Sequence, residues 1–136
     1  QYPEMQIVLQ LSEKAMQGRP FGEIHNKVLI YRDLVNYVLI DPSGGKGRSF
    51  DIESSTAIHS ILEPQCSNST FGFAGGFTGE NVDLRLRKLM TLVGEDNFCI
   101  DAEGGLRDKI TTAYGDDVMN FGKVRDYIRG TASILR

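Results

Sequence analysis

The chain has only two cysteines and four prolines, and no apolar run in it approaches the roughly 18 residues that a membrane helix requires. Cys66 and Cys99 show no metal-ligand spacing. Cys66 lies in a polar stretch and Cys99 in an apolar one, which reads as two reduced thiols, Cys99 buried in a strand, in a cytoplasmic protein. Basic excess is missing too: 15 Lys and Arg stand against 18 Asp and Glu, for a net charge of −3. That composition gives no basic face for nucleic acid. Gln1-Tyr-Pro-Glu4 carries no basic stretch and no signal core, and a first residue other than Met implies a preceding segment. No Ser-His-Asp arrangement, metal cluster or Walker loop is present, so no cofactor is implied. His25 and His59 fall in helical segments, as surface or packing residues.

What is present is alternation. At 136 residues and 40% hydrophobic, the chain suffices for one core and a single domain. Apolar runs at 5–11, 37–40, 71–74 and 98–102 read as strands. Helical periodicity follows at about 22–36, 53–62, 79–93 and 120–135, with a mobile-looking stretch around 114–117 before the last. The stripes are Ile24, Val28, Tyr31 and Val35; Ala57, Ile58, Ile61 and Leu62; and Val82, Leu86, Leu89, Met90 and Val93, with Gly94 as a cap. A period of roughly 30 residues predicts βα units feeding a parallel sheet through right-handed crossovers. Both faces of such strands are expected to be buried. Four units make half of a (β/α)8 barrel or a small open sheet, since a full barrel needs at least about 200 residues.

Three strands run directly into acids and glycines. Tyr37-Val-Leu-Ile40 leads to Asp41-Pro-Ser-Gly-Gly-Lys-Gly47, Phe71-Gly-Phe-Ala74 to Gly75-Gly76, and Phe98-Cys-Ile-Asp101 to Ala-Glu103-Gly104-Gly105. Working groups of parallel α/β proteins sit beyond the carboxyl ends of the strands. Glycines there permit positive φ and let backbone N–H groups close on an anion, so Gly75, Gly76, Gly104 and Gly105 are candidate phosphate ligands. The competing explanation is that they only make tight turns. Asp41 is a candidate general acid or base, or else a turn former at Asp-Pro-Ser-Gly. Of Asp101 and Glu103, one is expected to point into the site and the other to pair with Arg107.

Leu39-Ile40-Asp41, Gly44-Gly45-Lys46-Gly47 and Phe50-Asp51, followed by Ala74-Gly75-Gly76 and Asn81-Val82, resemble the C-terminal half of phosphoribosylanthranilate isomerase. Ile100-Asp101-Ala102-Glu103-Gly104-Gly105-Leu106-Arg107 resembles its last strand more loosely. The resemblance spans about residues 5–110 and implies a parallel TIM-type barrel and an Amadori rearrangement of a phosphorylated sugar in tryptophan biosynthesis. It implies that Asp41 protonates the ribose ring oxygen, that Gly75, Gly76 and Gly105 hold the phosphate, and that Gly44, Gly45 and Lys46 line the substrate. The family's basic cysteine belongs to a first strand with no counterpart here, so the base is expected from a complementing N-terminal half. Two alternatives stay open: a phosphosugar-binding half-barrel without catalysis, and an assembly module whose open core is covered in a homodimer.

Overall fold

The computed structural model describes residues 4–16, 18–42, 51–112 and 115–135. Its frame is a sheet of four strands, β1 (Val8–Ser12), β2 (Tyr37–Asp41), β3 (Thr70–Ala74) and β4 (Phe98–Asp101). The strands pair in chain order, and every pairing is parallel. Between them lie the single turn α1 (Glu13–Met16) and helices α2 (Phe21–Leu29), α3 (Ile52–Leu62) and α4 (Val82–Val93). The chain is therefore α/β, with helices interleaved in a parallel sheet. Past β4 a 3-10 turn (Gly104–Leu106) enters an antiparallel hairpin, β5 (Arg107–Thr112) and β6 (Gly115–Met119), and helix α5 (Phe121–Ala132) follows. Where the sequence suggests a mobile stretch around 114–117, residues 115–117 belong to β6, and Tyr114 lies outside the described residues. Arg107 pairs with Met119 and Asp108 with Val118, and the charged composition hid the strand periodicity.

Register decides which side chains share a face. Leu9, Val38, Phe71 and Phe98 form one row, and Leu11, Ile40, Phe73 and Ile100 form the next. Both rows meet the helices. They pack with Ile24 and Val28 of α2, Ile58 and Leu62 of α3, and Val82 and Leu89 of α4. His59 of α3 sits edge-on to Phe71, with ring centroids 4.8 Å apart, and its burial lowers its pKa by disfavouring the imidazolium.

The alternate rows are Val8–Tyr37–Thr70, Gln10–Leu39–Gly72–Cys99 and, at the carboxyl end, Ser12–Asp41 and Ala74–Asp101. Among the described residues, α2, α3 and α4 all pack on the other face, and Val8, Gln10, Cys99 and Asp101 are exposed on this one. The expectation that both faces are buried is thus corrected. Crossovers of one hand between neighbouring strands in chain order put all the helices on one side. Cys99, expected to be buried in its strand, is exposed for the same reason. Cys99 alternates with Phe98 and Ile100 and must face the open side, while Cys66 bonds back to the end of α3 and is buried.

Local chemistry sets the helix ends. Asp51 caps α3 by accepting from the Ser54 N–H at 3.1 Å. On α3, Ile58 and Leu62 are buried, but Ala57 and Ile61 are exposed, and Ser55 and Thr56 take the inner places. Thr56 tolerates this because its hydroxyl donates to the Ile52 carbonyl at 2.9 Å. Helix α2 stops at Leu29, short of the expected 36, although Val35 remains in the core. Among the described residues, no helix is long and apolar enough to cross a membrane.

Phe73, fully buried on the central strand, is the keystone of this core. Phe73→Ala should cost about 3–5 kcal/mol of unfolding free energy in urea titration. A loss below about 1 kcal/mol would contradict the packing described.

Candidate functional site

The carboxyl ends of the strands bring four positions level with one another. Ser12 lies opposite Asp41 and Ala74 opposite Asp101, and the pairing of Ile40 with Phe73 sets Asp41 beside Ala74. Asp41, only 5% exposed, accepts a hydrogen bond from Gln10 Nε2 at Oδ2, 2.9 Å away. That bond supplies an oriented partner for a carboxyl removed from water. Asp101 stands two strands farther on, so the two Cα atoms are roughly 10 Å apart, on either side of Ala74. Although Asp101 keeps an exposed surface, partial desolvation raises its pKa, and the negative charges of Glu103 and Asp41 raise it further. Glu103 turns to Arg107, with Oε1 2.9 Å from Nη2, which is the pairing the sequence suggested.

The turn after Ala74 is built for close approach. Gly75 and Gly76 have φ of 114° and 62°, in the region that side chains disfavour. Arg85 Nη1 donates to the Gly75 carbonyl at 3.3 Å and to the Gly76 carbonyl at 2.6 Å. Asn81 Nδ2 donates to the same Gly76 oxygen at 3.0 Å, while its Oδ1 accepts from the Thr78 N–H. Peptides are planar and trans, so the Gly76 N–H points opposite to the Gly75 carbonyl and away from the guanidinium. Among the described residues, no protein acceptor takes the Gly76 N–H. An outward N–H at a glycine turn before a helix of twelve residues suits an anion.

Gly104 and Gly105 behave differently. They belong to the 3-10 turn closed by the Leu106 N–H on the Glu103 carbonyl, and a Cβ at Gly105 would lie 2.2 Å from the Phe77 carbonyl oxygen. Close packing of this turn against the Phe77–Thr78 backbone accounts for Gly105. A cavity of about 460 Å³ opens beside it, lined by Thr78, Gly79, Glu80, Lys123 and Asp126. Lys123 is engaged by Asp108, 2.8 Å away, and by the Arg107 carbonyl, so Glu80 and Asp126 leave that cavity with no surplus positive charge. Gly44, Gly45 and Lys46 lie outside the described residues.

Three residues at the site carried no signal in the motifs. Gln10 could have been found by strand parity, since it shares a face with Ser12. Arg85 lies one helical turn after Asn81, which is visible only once both are known to face the glycine turn. Tyr127 of α5, half-buried against the core, feels the Asp101 charge, and its phenol is pushed up to about 12, mainly by burial. Among the described residues, no group of three or more His, Cys, Asp or Glu is placed to hold a metal ion. Comparison with known proteins returns no matching family model, no matching curated protein and no matching solved structure.

The raised Asp101 pKa has a definite sign in stability. The folded chain keeps this proton to higher pH than the unfolded chain, whose ordinary value is 3.8. Asp101 therefore subtracts stability as pH rises through the window above that value. The stability advantage of Asp101→Asn should grow from about pH 3 to about pH 7 in urea titrations. An advantage independent of pH would contradict the assignment.

Proposed function

We propose that the chain carries a phosphosugar site at the carboxyl edge of its sheet, of the phosphoribosylanthranilate isomerase kind, and that its four βα units act as the C-terminal half of a (β/α)8 barrel. The observation that carries the proposal is the level row Asp41–Ala74–Asp101, with the Gly75–Gly76 turn leaving from its central member. A phosphate on the Gly76 N–H would place the attached sugar over the row, between the two carboxyls.

The chemistry follows from that placement. Asp41, oriented by Gln10, delivers a proton to the ring oxygen of an N-glycoside as the bond from C1 to that oxygen breaks. The resulting Schiff base then loses its C2 proton to a base, and the enolamine tautomerises to an aminoketose. Asp101 is the second carboxyl within reach, and its raised pKa suits it to hold a proton beside the sugar hydroxyls. The base is assigned to a complementing half placed over the open sheet face, where Val8, Gln10 and Cys99 are exposed.

A second reading, binding without turnover, is favoured by one observation. Among the described residues, the row level with Asp41 and Asp101 contains no thiol or imidazole, since Cys99 lies one row below it.

Titration of the ¹⁵N-labelled chain with inorganic phosphate should shift the Gly75 and Gly76 amides. An aminodeoxyribulose phosphate analogue should shift Asp41 and Asp101 as well. Gly76→Ala should weaken both ligands about tenfold, because left-handed backbone costs a side-chain-bearing residue about 1–2 kcal/mol. A folded chain showing no shifts with either ligand at millimolar concentration would overturn the proposal.

A further inference from the structure

We infer that Arg85 is a positioning residue, which aims the Gly75–Gly76 turn at its anion without touching that anion. The inference rests on the phosphate reading above and concerns how this turn is held. Arg85 and Asn81 are four residues apart at the start of α4, hence on one helical face, and both donate to the Gly76 carbonyl. The same Nη1 also reaches the Gly75 carbonyl. Two successive peptide planes are thereby fixed with their oxygens toward α4. Planarity then turns the N–H groups of Gly76 and Phe77 to the opposite side.

The guanidinium itself is immobilised. It lies over the Phe77 ring, 5.7 Å from the centroid, and Phe77 is fully buried. A charged donor on a carbonyl draws electron density through the amide and strengthens the N–H on the far side as a donor. Arg85 thus lends positive potential to a site at which it presents no atom. A glycine turn is otherwise conformationally loose, and fixing it in advance removes the cost of ordering it on binding.

A lysine ammonium can reach the same two carbonyls, but it lacks the planar guanidinium face that lies over Phe77 and fixes the donor's direction. Arg85→Lys should therefore keep the charge and recover only part of the effect, while Arg85→Met loses it. Phosphate Kd, measured by ¹⁵N shift titration of the full chain at a temperature where every variant is folded, should rise about tenfold in Arg85→Met. It should rise by a smaller factor in Arg85→Lys. The Gly76 amide resonance should move in both variants before any ligand is added. An arginine that only staples the loop would lower the thermal midpoint and leave Kd unchanged, and that result would overturn the inference while the phosphate reading stands. Absence of phosphate binding by the parent chain would overturn both.

Discussion

The hydrogen-bond ladders joining β1 to β2, β2 to β3 and β3 to β4 all run parallel, and a parallel neighbour is reached only through a crossover of a dozen or more residues. Because each new strand is added beside the last, every crossover swings to the same side. The helices collect on one face, and all four carboxyl ends arrive at one edge. Core, open face and candidate site are consequences of that single pairing scheme. The row of Asp41, Ala74 and Asp101 exists because register keeps the last residues of β2, β3 and β4 level.

The edge is electrostatically divided. Carboxyls occupy its outer members, with Asp41 tied to Gln10 and Glu103 to Arg107. The positive potential comes from beneath the central turn, where Arg85 grips carbonyl oxygens. Carboxyls thus flank the middle of this edge, and the glycine turn with its outward Gly76 N–H stands between them. Gly105 leaves no room for a side chain against the Phe77 carbonyl, so the second glycine turn packs directly on the backbone that follows the first.

Much of this was legible from residue order. Apolar runs placed all four strands to within about three residues, and the spacing of Val82, Leu86 and Leu89 identified the buried stripe of α4. Asp41, Gly75 and Gly76 stand at strand ends, where the sequence put them, because apolar runs that stop at an acid or a glycine pair mark such tips. Other features depended on distance in space. Strand runs such as Phe98-Cys-Ile-Asp101 look alike whether one face or two are covered, so the exposure of Cys99 followed from topology and not from composition. The strands β5 and β6 carry too many charges for alternation to stand out. Gln10 and Tyr127 matter through contacts 31 and about 26 residues away in sequence, which no local window spans, and Arg85 through contacts 9 and 10 residues away that arise only because the chain reverses at the glycine turn.

Gly72 gives the open face its relief. A β-carbon there would lie 2.8 Å from Leu39 Cδ1 and 2.9 Å from Cys99 Sγ, so these two side chains lean together across the space that glycine leaves. They form a floor one pleat below the carboxyl row. A missing carbon on β3 therefore decides how closely side chains of β2 and β4 approach one another across it, and any larger residue at that position would have to push Leu39 and Cys99 apart.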